Sequence, residues 1–295
     1  MKKQPAELVN MDNDGLPQKK TSQVADPLSL RHLIIAPPGW GKTELFTSFP
    51  DSLLLACEEG HMFVEGYKII IDSWEGTPEK TDDHGNLHLS FVDALARIES
   101  TNRFKFIVID TVDALAKMCV DWHLENVESR SKEAAGKDAL HLGDLGDFGK
   151  GYDLGMNTPM RQAFNIILKS GRGIGYITHQ EMKTYDFTGK AKKIKKETTL
   201  PNGLIKLLFP QCDIIMHGEF GEKREGQHQR DRIIRTEGTE ELLAKNRGGI
   251  LPPAFVVPLD VPSRWQQFNG FFDPKTGKQN IEKAFAEFNE TYDLA

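Results

Sequence analysis

The stretch LIIAPPGWGKTEL (residues 33–45) is an apolar run that breaks on two prolines and a glycine and resumes as Gly-Lys-Thr. The run reads as a buried strand, and TELFTSF after it reads as a helix. The turn between them fits the pattern G-x-x-x-x-G-K-[ST] with one departure, Ala36 in place of the first glycine. A loop of this kind aims successive backbone N–H groups at a phosphate, which leaves little room for side chains. Gly39 and Gly41 meet that demand. Lys42 has the reach for the β- and γ-phosphates, and Thr43 has a hydroxyl to offer Mg²⁺. Pro38, Gly39, Trp40, Gly41, Lys42, Thr43 and Glu44 are therefore the candidate nucleotide-binding residues, with Trp40 either covering the nucleotide or facing solvent. Ala36 is the smallest departure available, and a methyl group is tolerated there if φ is negative.

Outward from this turn, short apolar runs alternate with longer amphipathic segments. HLIIA, DSLLLA, GYKIII, FKFIVID, GIGYIT and CDIIMH read as buried parallel strands. FVDALARIES, DALAKMCVDWHLENVESR and TPMRQAFNIILKSG read as helices, the last with Thr158 as N-cap, Pro159 at the first helical position and a stop at Gly171. GEKREGQHQRDRIIRTEG reads as an antiparallel hairpin on the sheet edge. The expected fold is α/β with a mostly parallel central sheet, helices on both faces and an antiparallel β addition. Residues 1–30 read as a flexible arm, 31–255 as the core, and 256–295 as an extension ending in an amphipathic helix.

Composition narrows the function. The chain has 295 residues, 39% hydrophobic and 27% charged, ordinary values for a globular protein. No apolar stretch approaches the roughly 20 residues a bilayer needs, and the N-terminus lacks a signal-like apolar segment, so a cytoplasmic protein without a membrane role is expected. Three widely separated cysteines, with neither C-x-x-C spacing nor histidine pairing, argue against a disulfide framework or a zinc site. A net charge of −6 does not advertise a nucleic-acid binder, although KTYDFTGKAKKIKKETT concentrates lysines locally. DDHGNLH, with His84 and His88, reads as a polar hairpin turn rather than a metal site.

A second motif supports the first. FKFIVIDT is an apolar strand ending in Asp110, the arrangement that holds Mg²⁺ in P-loop NTPases, so Thr43 and Asp110 are the candidate metal residues. Beyond these two motifs, the chain resembles a family. LLLACEEG, GYITHQE and LLAKNRGG resemble the strand carrying the catalytic glutamate, the γ-phosphate-sensing strand end and the inter-subunit finger of RecA-like ATPases. The combination is most similar, over residues 31 to about 255, to phage-associated AAA-type nucleotide-binding proteins and core-only RecA-like recombinases of the Sak single-strand-annealing type.

The resemblance implies a catalytic set of Lys42, Glu59, Asp110, Gln180, Lys245 and Arg247. The doublet Glu58–Glu59 offers two bases, of which Glu59, next to Gly60, takes the family's position. It also implies ATP and Mg²⁺ as cofactors and a homo-oligomer, ring or filament, in a host cytoplasm. The segment after Gln180 falls where the family's mobile DNA-facing loop falls, so Lys183, Lys190, Lys192, Lys193, Lys195 and Lys196 are the candidate contacts to single-stranded DNA, with Tyr185 or Phe187 available for stacking. HLGDLGDFGKGYDLG falls where a second such loop would, but Asp144, Asp147 and Asp153 oppose phosphate contact. The implied activity is Mg²⁺-dependent ATP hydrolysis in phage-type recombination or strand annealing. The alternatives are a loader or motor acting on a phage single-strand DNA-binding or replication protein, and a nucleotide-gated binding module with negligible turnover.

Overall fold

The computed structural model describes residues 26–126, 141–142, 150–185, 193–223, 228–239 and 242–292. Most of the expected N-terminal arm lies outside them. The first half of the chain contains β1 (Arg31–Ala36), α1 (Lys42–Thr47), β2 (Ser52–Ala56), β3 (Tyr67–Ser73), β4 (Lys80–Thr81), β5 (Leu87–Ser90), α2 (Phe91–Ser100), β6 (Phe106–Asp110) and α3 (Val112–Asn126). The second half contains α4 (Lys150–Tyr152), α5 (Thr158–Lys169), β7 (Gly173–Tyr185), β8 (Lys193–Thr198), α6 (Asn202–Gln211), β9 (Ile214–Phe220) and β10 (Arg232–Arg235). It closes with β11 (Lys245–Asn246), β12 (Ala254–Val257), α7 (Val261–Phe271) and α8 (Gly277–Tyr292).

The strands form one mixed, mostly parallel sheet in the order β12-β10-β9-β1-β7-β6-β2-β3-β5-β4, with β11 paired to β9 and β8 to β7. β9, β1, β7, β6, β2, β3 and β5 run parallel. Continuous apolar strands demand cover on both faces, and the side chains of β1 divide accordingly. Leu33 and Ile35 join one core with residues of α2, α3, α5 and α6, while Ile34 and Ala36 join the other with residues of α1 and α7. The fold is α/β, a sheet between two helical layers. Its parallel strands end on one edge, where open α/β sheets bind ligands.

Three local readings change. Thr158 is not an N-cap, because Asn157 and Thr158 already have right-handed helical backbone and a π-helical turn over Asp153–Asn157 joins α4 to α5. The antiparallel addition is present, with β10 on β9, but β12 from the proline-rich tail takes the outer edge. The tail also supplies α7, whose Phe268 packs on Phe49 and His32, so part of the expected extension completes the second core. DDHGNLH is a turn. Asp82 Oδ1 accepts from the backbone N–H of His84 and Asn86, and β4 pairs antiparallel with β5.

Candidate nucleotide site

The loop from Pro37 to Gly41 joins β1 to α1, and Gly39 and Gly41 adopt φ of +73° and +94°, the left-handed region that favours glycine. Ala36 is fully buried. Its methyl group faces Gly218 on β9, where an added Cβ would lie 2.7 Å from that of Ala36. The alanine in the loop is thus matched by a glycine across the sheet.

Lys42 and Thr43 begin α1. Thr43 Oγ1 donates to Asp110 Oδ2 at 2.6 Å, joining the two motifs. Lys42 Nζ donates back to the carbonyls of Ala36 and Pro37, at 3.0 and 3.2 Å. Burial pulls the Lys42 ammonium below its ordinary pKa, with Asp110, Glu58 and Asp113 opposing. Burial pushes the Asp110 carboxyl up against the hydrogen bond from Thr43. A buried carboxylate beside a hydroxyl is a donor set that suits a hard cation, so Thr43 and Asp110 fit Mg²⁺.

The two members of the glutamate doublet sit differently. Glu58 is half-buried and faces the site, accepting from Thr111 Oγ1 at 3.2 Å and from His179 Nε2 at 3.4 Å. The hydrogen bond from His179 holds the Glu58 carboxyl below the usual glutamate range, and the same contact raises His179. Glu59 opens a short 3₁₀ turn and is exposed. The cause is the strand itself: β2 ends at Ala56, the chain turns away at Glu59, and only the first glutamate stays beside Asp110.

His179, in register with Ala36, reaches Glu58, while Gln180 begins the pairing with β8 opposite Thr198. His179 Nδ1 and Gln180 Oε1 are buried without a hydrogen-bond partner among the described residues. His179 and Gln180 are consecutive on the strand, so their side chains take opposite faces of the sheet.

The other loop residues have partners of their own. Trp40 is fully buried and does not face solvent. Its Nε1 donates to the Glu219 carbonyl at 2.9 Å, pinning the loop to β9. Glu44 Oε2 accepts from Arg232 Nη1 at 2.9 Å and Arg264 Nη1 at 2.7 Å. Burial would raise the Glu44 carboxyl, and the two guanidiniums more than offset it. Pro38 is exposed at the crest of the loop.

Lys245 and Arg247 lie at the other end of the sheet. β11 pairs with the start of β9, and Lys245 Nζ donates to the carbonyls of Phe209, Pro210 and Cys212, capping the end of α6. Arg247 Nη1 pairs with Asp213 at 2.8 Å and keeps 55% of its side chain exposed. Neither meets the phosphate loop of its own chain.

The described ends of the lysine-rich segment pair antiparallel as β7 and β8. Lys183 pairs with Glu181 and Glu197, Lys196 pairs with Glu219, and Lys195 lies over the Tyr185 ring, 5.6 Å from its centroid. Lys190, Lys192 and Phe187, with the side chain of Lys193, lie outside the described residues, as do Asp144 and Asp147.

No described helix is long and apolar enough to cross a membrane. Among solved structures, the chain is similar to a KaiC-like protein of Pyrococcus horikoshii OT3 (11% identity, TM-score 0.39, covering 80% of this chain and 88% of that one). It is also similar to the flagellar accessory protein FlaH of Methanocaldococcus jannaschii (12% identity, TM-score 0.37, covering 79% and 87%). No curated protein sequence matches it. The AAA domain family matches residues 29–248, which span the phosphate loop, Asp110 and the sheet that holds them, and the chain belongs to that family of nucleotide-binding P-loop ATPase domains.

Proposed function

We propose that the protein is a Mg²⁺-dependent ATPase in which Glu58 is the base that activates water. The observation that carries this reading is the convergence of Thr43, Asp110, Glu58 and His179 at the carboxyl ends of adjacent strands, around Lys42. Phosphoryl transfer asks a protein mainly for positioning and charge stabilisation. Lys42 exchanges the loop carbonyls for phosphate oxygens, and Thr43 and Asp110 hold the cation, which neutralises developing phosphate charge when bound. Glu58, kept ionised by His179, orients the attacking water. His179 senses the γ-phosphate and passes its state to the β7–β8 hairpin, of which it is the root. Arg247 completes the site of a neighbouring copy, so turnover depends on assembly.

The client proposed for the hairpin is single-stranded DNA, in recombination or strand annealing of the phage type. A second reading, a loader acting on a DNA-binding or replication protein, is favoured by one observation: carboxylates already pair Lys183 and Lys196.

The test is ATP turnover and ATP binding in paired variants. Glu58→Gln lowers the rate by about 100-fold or more with binding retained, the size expected for loss of a positioned base. Glu59→Gln leaves both unchanged. Loss of activity in Glu59→Gln alone would return the base to the exposed residue, and no turnover in the unaltered chain, with or without DNA, would leave a nucleotide-gated binding module.

A further inference from the structure

The phosphate loop has two flanks. Two strands from β1 in one direction lies β6 with Asp110, and two strands in the other lies β10 with Arg232. Thr43 and Glu44, about 100° apart on the helix, turn to opposite flanks, Thr43 to Asp110 and Glu44 to Arg232. The first flank holds the hydrolytic groups, and the second has as yet no role.

That second flank carries guanidiniums close to the loop. Glu44 pairs with Arg232 and Arg264, Asp260 also acts on Arg264, and exposed Arg230 lines the same cavity as Arg232. Arg232 presses on the loop closely enough that a Cβ on Gly41 would meet its Nη1 at 2.6 Å. Trp40 fastens the loop to β9 at Glu219, and the next residue, Phe220, is in register with Arg232 and 38% exposed. Gly39, Phe220, Gln229, Arg230 and Arg232 bound a cavity of about 450 Å³. That is within the range of roughly 300–1,000 Å³ typical of small-molecule sites.

We propose that this flank holds the nucleoside end of the bound nucleotide. Arg232, steadied by Glu44, contacts the phosphate chain where it meets the ribose. The cavity takes the base, with Phe220 as its stacking surface and Arg230 and Gln229 at its edge. The inference rests on the phosphate loop being the nucleotide site. It adds an in-chain cation on the side of the loop away from the hydrolytic groups.

The test is calorimetric binding of ATP and of inorganic tripolyphosphate to the full chain, both with Mg²⁺. Phe220→Ala and Arg230→Ala change exposed side chains. Each weakens ATP by about tenfold, the scale of one lost base–aromatic contact, and leaves tripolyphosphate within about twofold. Arg232→Gln, which can still donate to Glu44, weakens both ligands. Lys42→Ala weakens both as the control for the phosphate loop. If Lys42→Ala weakens both ligands but Phe220→Ala and Arg230→Ala bind ATP as the unaltered chain does, the phosphate loop stands and the nucleoside assignment falls. If Lys42→Ala changes neither, the phosphate-loop reading falls and takes this inference with it.

Discussion

Ala36 and Gly218 form a size-matched pair, and the pairing explains why a loop lacking its first glycine keeps its shape. Gly218→Ala would bring a methyl group to 2.7 Å from both Ala36 and the Trp40 ring. Overpacking of this kind costs about 1–3 kcal/mol, so a lower thermal midpoint is expected, partly restored by adding Ala36→Gly. Ala36→Gly alone leaves ATP affinity about unchanged, and a large gain would mean that the methyl group obstructs phosphate. Buried histidines set a second residue-scale property. Burial holds His32, whose Nε2 donates to the Pro27 carbonyl, and His217, whose Nε2 donates to the Leu243 carbonyl, each at about 4 against an ordinary 6.5. The unfolded chain therefore binds more protons between pH 6.5 and 4, and stability present above 6.5 is lost as pH falls through that window. The loss is on the order of 3 kcal/mol per histidine. Urea unfolding across this range measures it, and His32→Phe, which keeps a ring among Phe46, Phe49, Phe106 and Phe268, should flatten the slope.

At the scale of elements, the β7–β8 hairpin is where site and client are expected to meet. If it grips single-stranded DNA, Lys195→Ala with Lys196→Ala weakens binding and lowers the salt slope by about 0.7 per lost phosphate contact. Binding with an unaltered slope would remove the hairpin as the DNA contact. The parallel strands and most of their helices were legible in the sequence, because a strand buried on both faces must be continuously apolar and leaves a plain trace. Strand ends were less legible. Glu58 against Glu59, and His179 against Gln180, differ by a single residue, and which one faces the site depends on where the strand stops and turns. That is set by pairing with β6 and β8 from distant parts of the chain. α7 was hidden for another reason: VPSRWQQFNGF carries its apolar residues among polar ones, and its burial comes from the aromatic cluster of α1 and β1. Trp40 and Glu44 are expected at the ligand because they lie in the loop's pattern, with Trp40 facing solvent as its alternative, whereas the partners they hold in the fold, Glu219, Arg232 and Arg264, are far away in sequence.

At the scale of the whole molecule, the phosphate loop and Arg247 occupy opposite ends of the sheet, so a finger role can be exerted only between copies. Mixing Lys42→Ala chains with Arg247→Ala chains, each inactive alone, should restore part of the turnover, and the rate of the unaltered chain should rise more steeply than its concentration. No recovery on mixing, with a rate linear in protein, would remove Arg247 from the reaction. β9 connects the two ends. Asp213, just before it, gathers Arg31 and Arg247, and six residues on, about 20 Å along an extended chain, the Glu219 carbonyl holds Trp40. A strand hydrogen-bonded along both edges moves as a tie rod: it shifts or tilts but does not stretch. In a ring or filament joined through Arg247, a ligand that displaced the loop would pull on the anchor facing the neighbour, and each catalytic centre would feel its neighbour's occupancy through a single segment of backbone.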